Sequence, residues 1–226
     1  MKPPVYHRLF GYDLARLPNR HLASLEDGVK TIRQARQRSG ATIGYPGWGV
    51  LYHVLLSHLD RTRYEIILET GTNWGCTTIV LAQALVDAAC QGHVVTFELD
   101  EANAERARLN ILAAGLSNRV HLHVGDSREL VRKVLRREMR IRFAFLDASH
   151  MSNDVLTEFE EIESLLTDDA LVLFDNTYHI AEDNEDQRVN GALKTIMDRH
   201  GGNLINLEFV SWYTPGLAIW QRKAKL

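Results

Sequence analysis

From Tyr64 onward the chain repeats one pattern: five short apolar runs each end on a carboxylate or lead straight into one. They are Ile66 to Glu69, Val94 to Glu98, Val120 to Val124 ahead of Asp126, Phe143 to Asp147, and Leu171 to Asp175. Helical stretches separate them, at Thr78 to Ala89, Ala102 to Ala114, the segment carrying Leu130, Val131, Val134 and Leu135, and Val155 to Leu166. Such alternation predicts crossover units, hence a parallel sheet with helices on both faces. After a further helix around Ala192 to Met197, Leu204 to Tyr213 and Leu217 to Gln221 flank Thr214-Pro215-Gly216, which predicts an antiparallel hairpin. The strands of an open parallel sheet all end along one edge, so Glu69, Glu98, Asp126, Asp147 and Asp175 are expected to gather at one crevice. Carboxylates crowded there repel one another unless cations or hydrogen-bond donors sit among them.

The first run enters a turn, Glu69-Thr70-Gly71-Thr72-Asn73-Trp74-Gly75-Cys76-Thr77-Thr78, and then the start of a helix. A strand ending this way brings backbone N–H groups and a helix N-terminus to the sheet edge, which suits a nucleotide-like cofactor. A dinucleotide needs G-x-G-x-x-G so that a pyrophosphate can lie against the backbone, and here Asn73 stands between Gly71 and Gly75. Glu69 is better placed to hold a cationic ammonium group, directly or through water. Glu98, about one crossover unit further on, can take both hydroxyls of a ribose. This E-x-G-x-x-x-G arrangement resembles motif I of the class I S-adenosylmethionine-dependent methyltransferases, in a variant without the middle glycine. The resemblance implies a Rossmann-like doubly wound fold ending in a hairpin. It also implies a cofactor-binding set of Glu69, Gly71, Thr72, Asn73, Gly75, Thr77, Glu98, Asp126, Ser127 and Asp147. In that set Glu98 takes the ribose, and Asp126 with Ser127 faces the adenine amino group. Asp126 is equally suited to cap the helix after it.

Asp147, Asp175 and Asn176 carry a second expectation. Two carboxylates and an amide oxygen from neighbouring strand ends are hard ligands that can hold Mg²⁺ or a similar divalent ion. Phe145-Leu146-Asp147 followed by Phe174-Asp175-Asn176 resembles the metal site of catechol O-methyltransferase and its relatives. Asp147-Ala148-Ser149-His150, followed by Asp154, is similar to the D-x-x-H pattern of the cephalosporin-hydroxylase-type and macrocin-type O-methyltransferases. His150 stands where catechol-type enzymes keep a lysine base; an imidazole titrates near neutrality and can take a proton from a hydroxyl whose pKa an ion has lowered. Capping of the following helix is its bland alternative, and His179 is the rival base. The reading is transfer of a methyl group from S-adenosylmethionine to a hydroxyl of a small molecule, with Asp147 and His150 as catalytic residues. A metal-independent methyltransferase, an NAD-linked oxidoreductase and a non-catalytic binding protein on the same sheet are the alternatives.

Composition bounds the rest. A length of 226 residues with 45% hydrophobic content suits one sizeable core, with residues 1–63 as a helical extension and lid and 64–226 as the methyltransferase unit. A formal net charge of -3 with interspersed signs gives no field for nucleic acid. Arg132 to Arg142 reads as a solvated helix face, and Arg222, Lys223 and Lys225 as a basic tail. Cys76 and Cys90 lack metal spacing, and with no leader at Met1-Lys2-Pro3-Pro4 they predict a cytoplasmic protein, Cys76 being a packing residue. No apolar run approaches bilayer length.

In the extension, Ser24 and Asp27 suggest a capping box for a helix carrying Leu22, Leu25, Val29 and Ile32 up to Gly40. Ile43-Gly44-Tyr45-Pro46-Gly47-Trp48-Gly49 then reads as an irregular loop exposing large rings, part of a lid or acceptor pocket. Tyr45, Trp48, Tyr178, Trp212 and Tyr213 are candidate pocket rings, Asp183 to Asp186 a polar loop near the site, and a homodimer through the N-terminal helices is plausible.

Overall fold

The computed structural model describes residues 8–136, 139–177, 185–207 and 216–223. Three helices come first: α1 (Arg20–Glu26), α2 (Ile32–Ser39) and α3 (Gly47–His58). The alternating part runs β1 (Tyr64–Thr70), α4 (Cys76–Asp87), β2 (Gln91–Glu98), α5 (Glu101–Ala113), β3 (Val120–Val124), α6 (Ser127–Val134), β4 (Ile141–Leu146), α7 (Ser152–Glu163) and β5 (Leu166–Asp175). It closes with α8 (Val189–His200), β6 (Asn203–Leu207) and β7 (Leu217–Gln221).

The seven strands form one sheet in the order β3-β2-β1-β4-β5-β7-β6. β1 pairs in parallel with both β2 and β4, so the sheet winds outward from the centre in both directions. β7 runs antiparallel between β5 and β6, which is the expected hairpin. The order reverses at β1 and β4, and the C-terminal ends of these two strands open the crevice where α/β sheets take ligands.

Apolar layers cover both faces. One contains Ile67, Phe143, Phe145 and Leu173 from the sheet with Ile79, Val80, Leu81 and Leu85 of α4; the other sets Leu68, Phe97, Leu146 and Phe174 against Val155, Phe159 and Ile162 of α7. Fully burying a side chain of this size contributes about 1.5–3 kcal/mol. The first layer is continuous with the N-terminal helices through Leu22, Trp48, Leu51 and Leu55.

Four local expectations are corrected. The single N-terminal helix is two: Asn19 caps α1 and Thr31 caps α2, while Gly28 takes φ 70° between them. Ser24 lies inside α1 and donates to the His21 carbonyl, so it forms no capping box with Asp27. The loop at Ile43 to Gly49 does not expose its rings. Gly47 already starts α3, Trp48 is fully buried and donates to Thr42 Oγ1 at 3.3 Å, and Tyr45 stacks on Tyr12. Nor is Arg142 on a solvated helix: it sits on β4, pairing with buried Glu65 and with Asp169.

Candidate active site

The C-terminal ends of the parallel strands border a cavity of about 340 Å³. Of the strand-end acids, Glu98, Asp126, Asp147 and Asp175 stand on its wall. Glu69 does not. It is fully buried behind the wall, accepting from the hydroxyls of Thr78 and Thr96, with Oε1 making no hydrogen bond. Burial raises its pKa to about 7 against the pull of those hydroxyls.

The turn after β1 shows why Asn73 can stand where a glycine was expected. Its φ is 49°, in the left-handed region that asparagine tolerates better than other side chains. Its N–H donates to Glu98 Oε2 at 2.6 Å and its side-chain amide to the Ala41 carbonyl. Gly71 is obligatory for a different reason: at φ 82° a Cβ there would lie 2.3 Å from the Asp147 carbonyl oxygen. The ends of β1 and β4 touch through backbone, and a side chain would wedge them apart.

Three members of the expected cofactor set build the turn rather than the main cavity. Gly75 is the N-cap of α4, with φ 78°, and packs against Ala107 of α5. Thr72 shares its hydroxyl with Thr96 at 2.6 Å, and Thr77 with Thr42 at 3.3 Å. Thr72 and Thr77 border only a small adjoining recess. Cys76 is buried there too; burial pushes its thiol up to about 12, as a packing residue requires.

Glu98 also accepts from the Asp100 N–H at 3.0 Å, so its carboxylate is held at the cavity by backbone donors from both sides. Asp126 performs both of its readings, standing on the wall and capping α6 by accepting from the Arg128 N–H. Its hydrogen bonds from the Arg128 guanidinium hold its carboxyl below the usual range. Arg128 reaches on to Asp154, which accepts from Ser149 Oγ at 2.7 Å and so ties down the loop bearing His150.

At the other end of the cavity, donor atoms of Asp147, His150 and Asp175 lie within 4.8 Å of one another. Burial raises the pKa of Asp147 to about 8 and lowers that of His150. His150 is not a helix cap, since Met151 occupies that position without a side-chain bond. Two carboxylates at this spacing fit a hard divalent cation, with the His150 imidazole beside them. Asn176 follows Asp175 with φ 63°. His179, Tyr178, Asp183, Asn184, Trp212 and Tyr213 lie outside the described residues.

The cavity also has walls that strand-end reasoning missed. Ala41, Thr42 and Ile43 bring the N-terminal extension to it, while Arg128 and Glu158 come from the helical side. Glu158 is buried, accepts from Thr70 Oγ1 at 3.1 Å and from Ser127 Oγ, and has a pKa raised to about 7 by that burial. A signal for it exists in the sequence: it interrupts the apolar stripe Val155, Phe159, Ile162 of α7.

A doubly wound sheet with this reversed hairpin and an acid-lined crevice defines the class of Rossmann-like methyltransferase folds. Residues 68–177, which run from within β1 to just past β5, match the family described as a methyltransferase domain. Catechol O-methyltransferase of Mycobacterium tuberculosis is 44% identical over 61 residues, which are 27% of this chain and 26% of that protein. The fold is shared with an O-methyltransferase from Bacillus cereus solved in complex with S-adenosylhomocysteine, at a TM-score of 0.71 and 22% identity, covering 91% of each chain. It is shared too with the O-methyltransferase TomG of Streptomyces achromogenes, involved in tomaymycin synthesis and solved with S-adenosylmethionine, at a TM-score of 0.71 and 20% identity, covering 96% of this chain and 92% of that one. Among the described residues no helix is long and apolar enough to cross a membrane.

Proposed function

We propose that the chain transfers a methyl group from S-adenosylmethionine to a hydroxyl oxygen of a small molecule, assisted by a divalent cation. The observation that carries this reading is the division of one cavity wall. Glu98, Asp126 and Ser127 stand toward β2 and β3, and Asp147, His150 and Asp175 cluster beyond the ends of β4 and β5. The first group suits a nucleoside; the second suits a hard cation and a base.

When bound, S-adenosylmethionine supplies an electrophilic methyl group on sulfur and the cation supplies Lewis acidity that lowers the pKa of a hydroxyl. The protein's part is orientation and proton handling. Glu98, fixed by the Asn73 and Asp100 N–H groups, accepts from ribose hydroxyls. Asp147 and Asp175, with Asn176 next to them, would hold the cation. His150 is kept neutral by burial, so its Nε2 would take the proton that the acceptor hydroxyl gives up as the methyl group leaves sulfur for oxygen. The hydroxyl acceptors of relatives such as catechol O-methyltransferase support an oxygen rather than a nitrogen nucleophile.

The partners we propose are small molecules rather than nucleic acid, in keeping with a net charge of -3, and the chain is proposed to work in the cytoplasm. A homodimer through the N-terminal helices is part of the same reading. Calorimetric titration with S-adenosylhomocysteine, with and without Mg²⁺, tests its core: binding is expected to be strong in both cases, and turnover to vanish with EDTA and return with Mg²⁺. Failure to bind S-adenosylhomocysteine overturns the reading, whereas turnover indifferent to chelation leaves a metal-independent methyltransferase.

A further inference from the structure

Glu158 has no part in the chemistry described above, yet it is buried on the wall of the same cavity. Burying a carboxylate is unfavourable unless hydrogen bonds answer it, and the other buried residues of α7, Val155, Phe159 and Ile162, are all apolar. Packing alone does not ask for an acid here. Its two oxygens take one hydroxyl each: Oε2 accepts from Thr70 at 3.1 Å, and Oε1 accepts from Ser127, the first residue of α6.

Thr70 carries the link onward. It is the last residue of β1, fully buried, and its Oγ1 also accepts from the Asp147 N–H at 3.3 Å. A hydroxyl has one proton and two lone pairs, whereas an ionised carboxylate offers lone pairs alone. The Thr70 proton therefore goes to Glu158, which leaves a lone pair to face the Asp147 N–H. That N–H donates to the Thr70 carbonyl as well, at 3.1 Å, so both polar groups of Thr70 hold it. Without Glu158 the Thr70 hydroxyl could turn its proton against the Asp147 N–H, and donor would meet donor. The Asp147 carbonyl already lies against Gly71, so with its N–H anchored the backbone of Asp147 is held on both sides. The side chain of Asp147 stands in the carboxylate cluster.

We propose that Glu158 is a positioning residue for the divalent cation: by holding the Thr70 hydroxyl as an acceptor for the Asp147 N–H, it fixes the Asp147 carboxylate where the cation is taken up. The inference rests on the cation reading of the cavity given above. Partners that orient a metal ligand typically change metal affinity about 10- to 100-fold when removed. Glu158 acts through a backbone N–H that keeps a second acceptor, so the lower end of that range applies.

The test titrates the full chain with Mn²⁺ and follows the electron paramagnetic resonance signal of the free ion, which reports uptake without turnover. Glu158→Leu suits an apolar helix face, and Thr70→Val keeps the shape of the side chain while removing its hydroxyl. Each is expected to weaken Mn²⁺ binding about tenfold, and the double variant no further than either alone, because both break one chain of hydrogen bonds. In Glu158→Gln the amide oxygen takes the Thr70 proton and the NH₂ group turns to the Ser127 oxygen, so Mn²⁺ affinity is expected to stay within about twofold of wild type. Far-ultraviolet circular dichroism checks the folding of each variant, and Glu158→Met replaces Glu158→Leu in the cycle if the branched side chain does not fold. Unchanged affinity in the folded apolar variant, additive losses in the double variant, or a loss in Glu158→Gln as large as in Glu158→Leu overturns the proposal. Wild type that takes up no Mn²⁺ overturns the cation reading itself, so the two failures are distinguishable.

Discussion

His150 Nε2 lies 3.5 Å from Asp147 Oδ1, three positions apart on one loop after β4. The spacing leaves a neutral imidazole nitrogen aimed at the carboxylate cluster, and among the described residues that nitrogen makes no hydrogen bond. A base held at the reacting hydroxyl contributes roughly 100-fold or more to the rate. His150→Ala is expected to lower kcat by at least that factor while S-adenosylhomocysteine affinity stays within about twofold. Equal losses in kcat and in cofactor affinity would assign the side chain to the loop's structure instead.

Glu98 is held at the cavity by the Asn73 and Asp100 N–H groups, which fix where its oxygens face. Hydrogen bonds to a charged group contribute about 1.5–3 kcal/mol, so Glu98→Ala should weaken S-adenosylhomocysteine binding about 10- to 100-fold. Calorimetry checks this, and unaltered affinity would remove the ribose assignment.

Gly71→Ala places a methyl group 2.3 Å from the Asp147 carbonyl oxygen and 2.9 Å from Ala148 Cα, at a φ of 82°. Both neighbours are backbone, so the ends of β1 and β4 must part. A loss of roughly 2–4 kcal/mol in urea unfolding is expected, together with loss of turnover because Asp147 moves with its carbonyl. A variant of wild-type stability and activity would contradict the packing described.

Trp48 is fully buried at the start of α3, in an apolar layer shared with α4. Trp48→Ala should cost about 3–5 kcal/mol in the unfolding of the whole chain. A separate, earlier transition with the remainder intact would instead mark residues 1–63 as an independent unit.

Glu69 gives stability a pH dependence. Burial raises its pKa from 4.5 to about 7, so the folded chain keeps a proton that the unfolded chain has lost over that interval. Stability therefore falls as pH rises between those values, by on the order of 3 kcal/mol from this group. In Glu69→Gln that contribution to the slope disappears, so relative to wild type the variant gains as pH goes from about 5 to about 8. Urea midpoints at the two ends measure it, and a difference between variant and wild type that does not move with pH would refute it.

The architecture was legible along the chain because its signals are local. Alternation of apolar runs and helices, Gly71 and Gly75 at a strand-to-helix turn, and Pro215-Gly216 between the last runs all act over a few residues. The shared edge of a parallel sheet then follows from topology, and it brought Glu98, Asp126, Asp147 and Asp175 together as expected. Tertiary packing decided what periodicity cannot express. It set Glu69 behind the wall, because Thr78 and Thr96 meet it there across α4 and β2. It buried Trp48, since α3 needed a face to cover α4. It brought Glu158 from mid-helix to two hydroxyls on other segments, 88 and 31 residues away in the chain. Depth and partnership across such separations depend on how layers close on one another, and no window of sequence contains both sides of the contact.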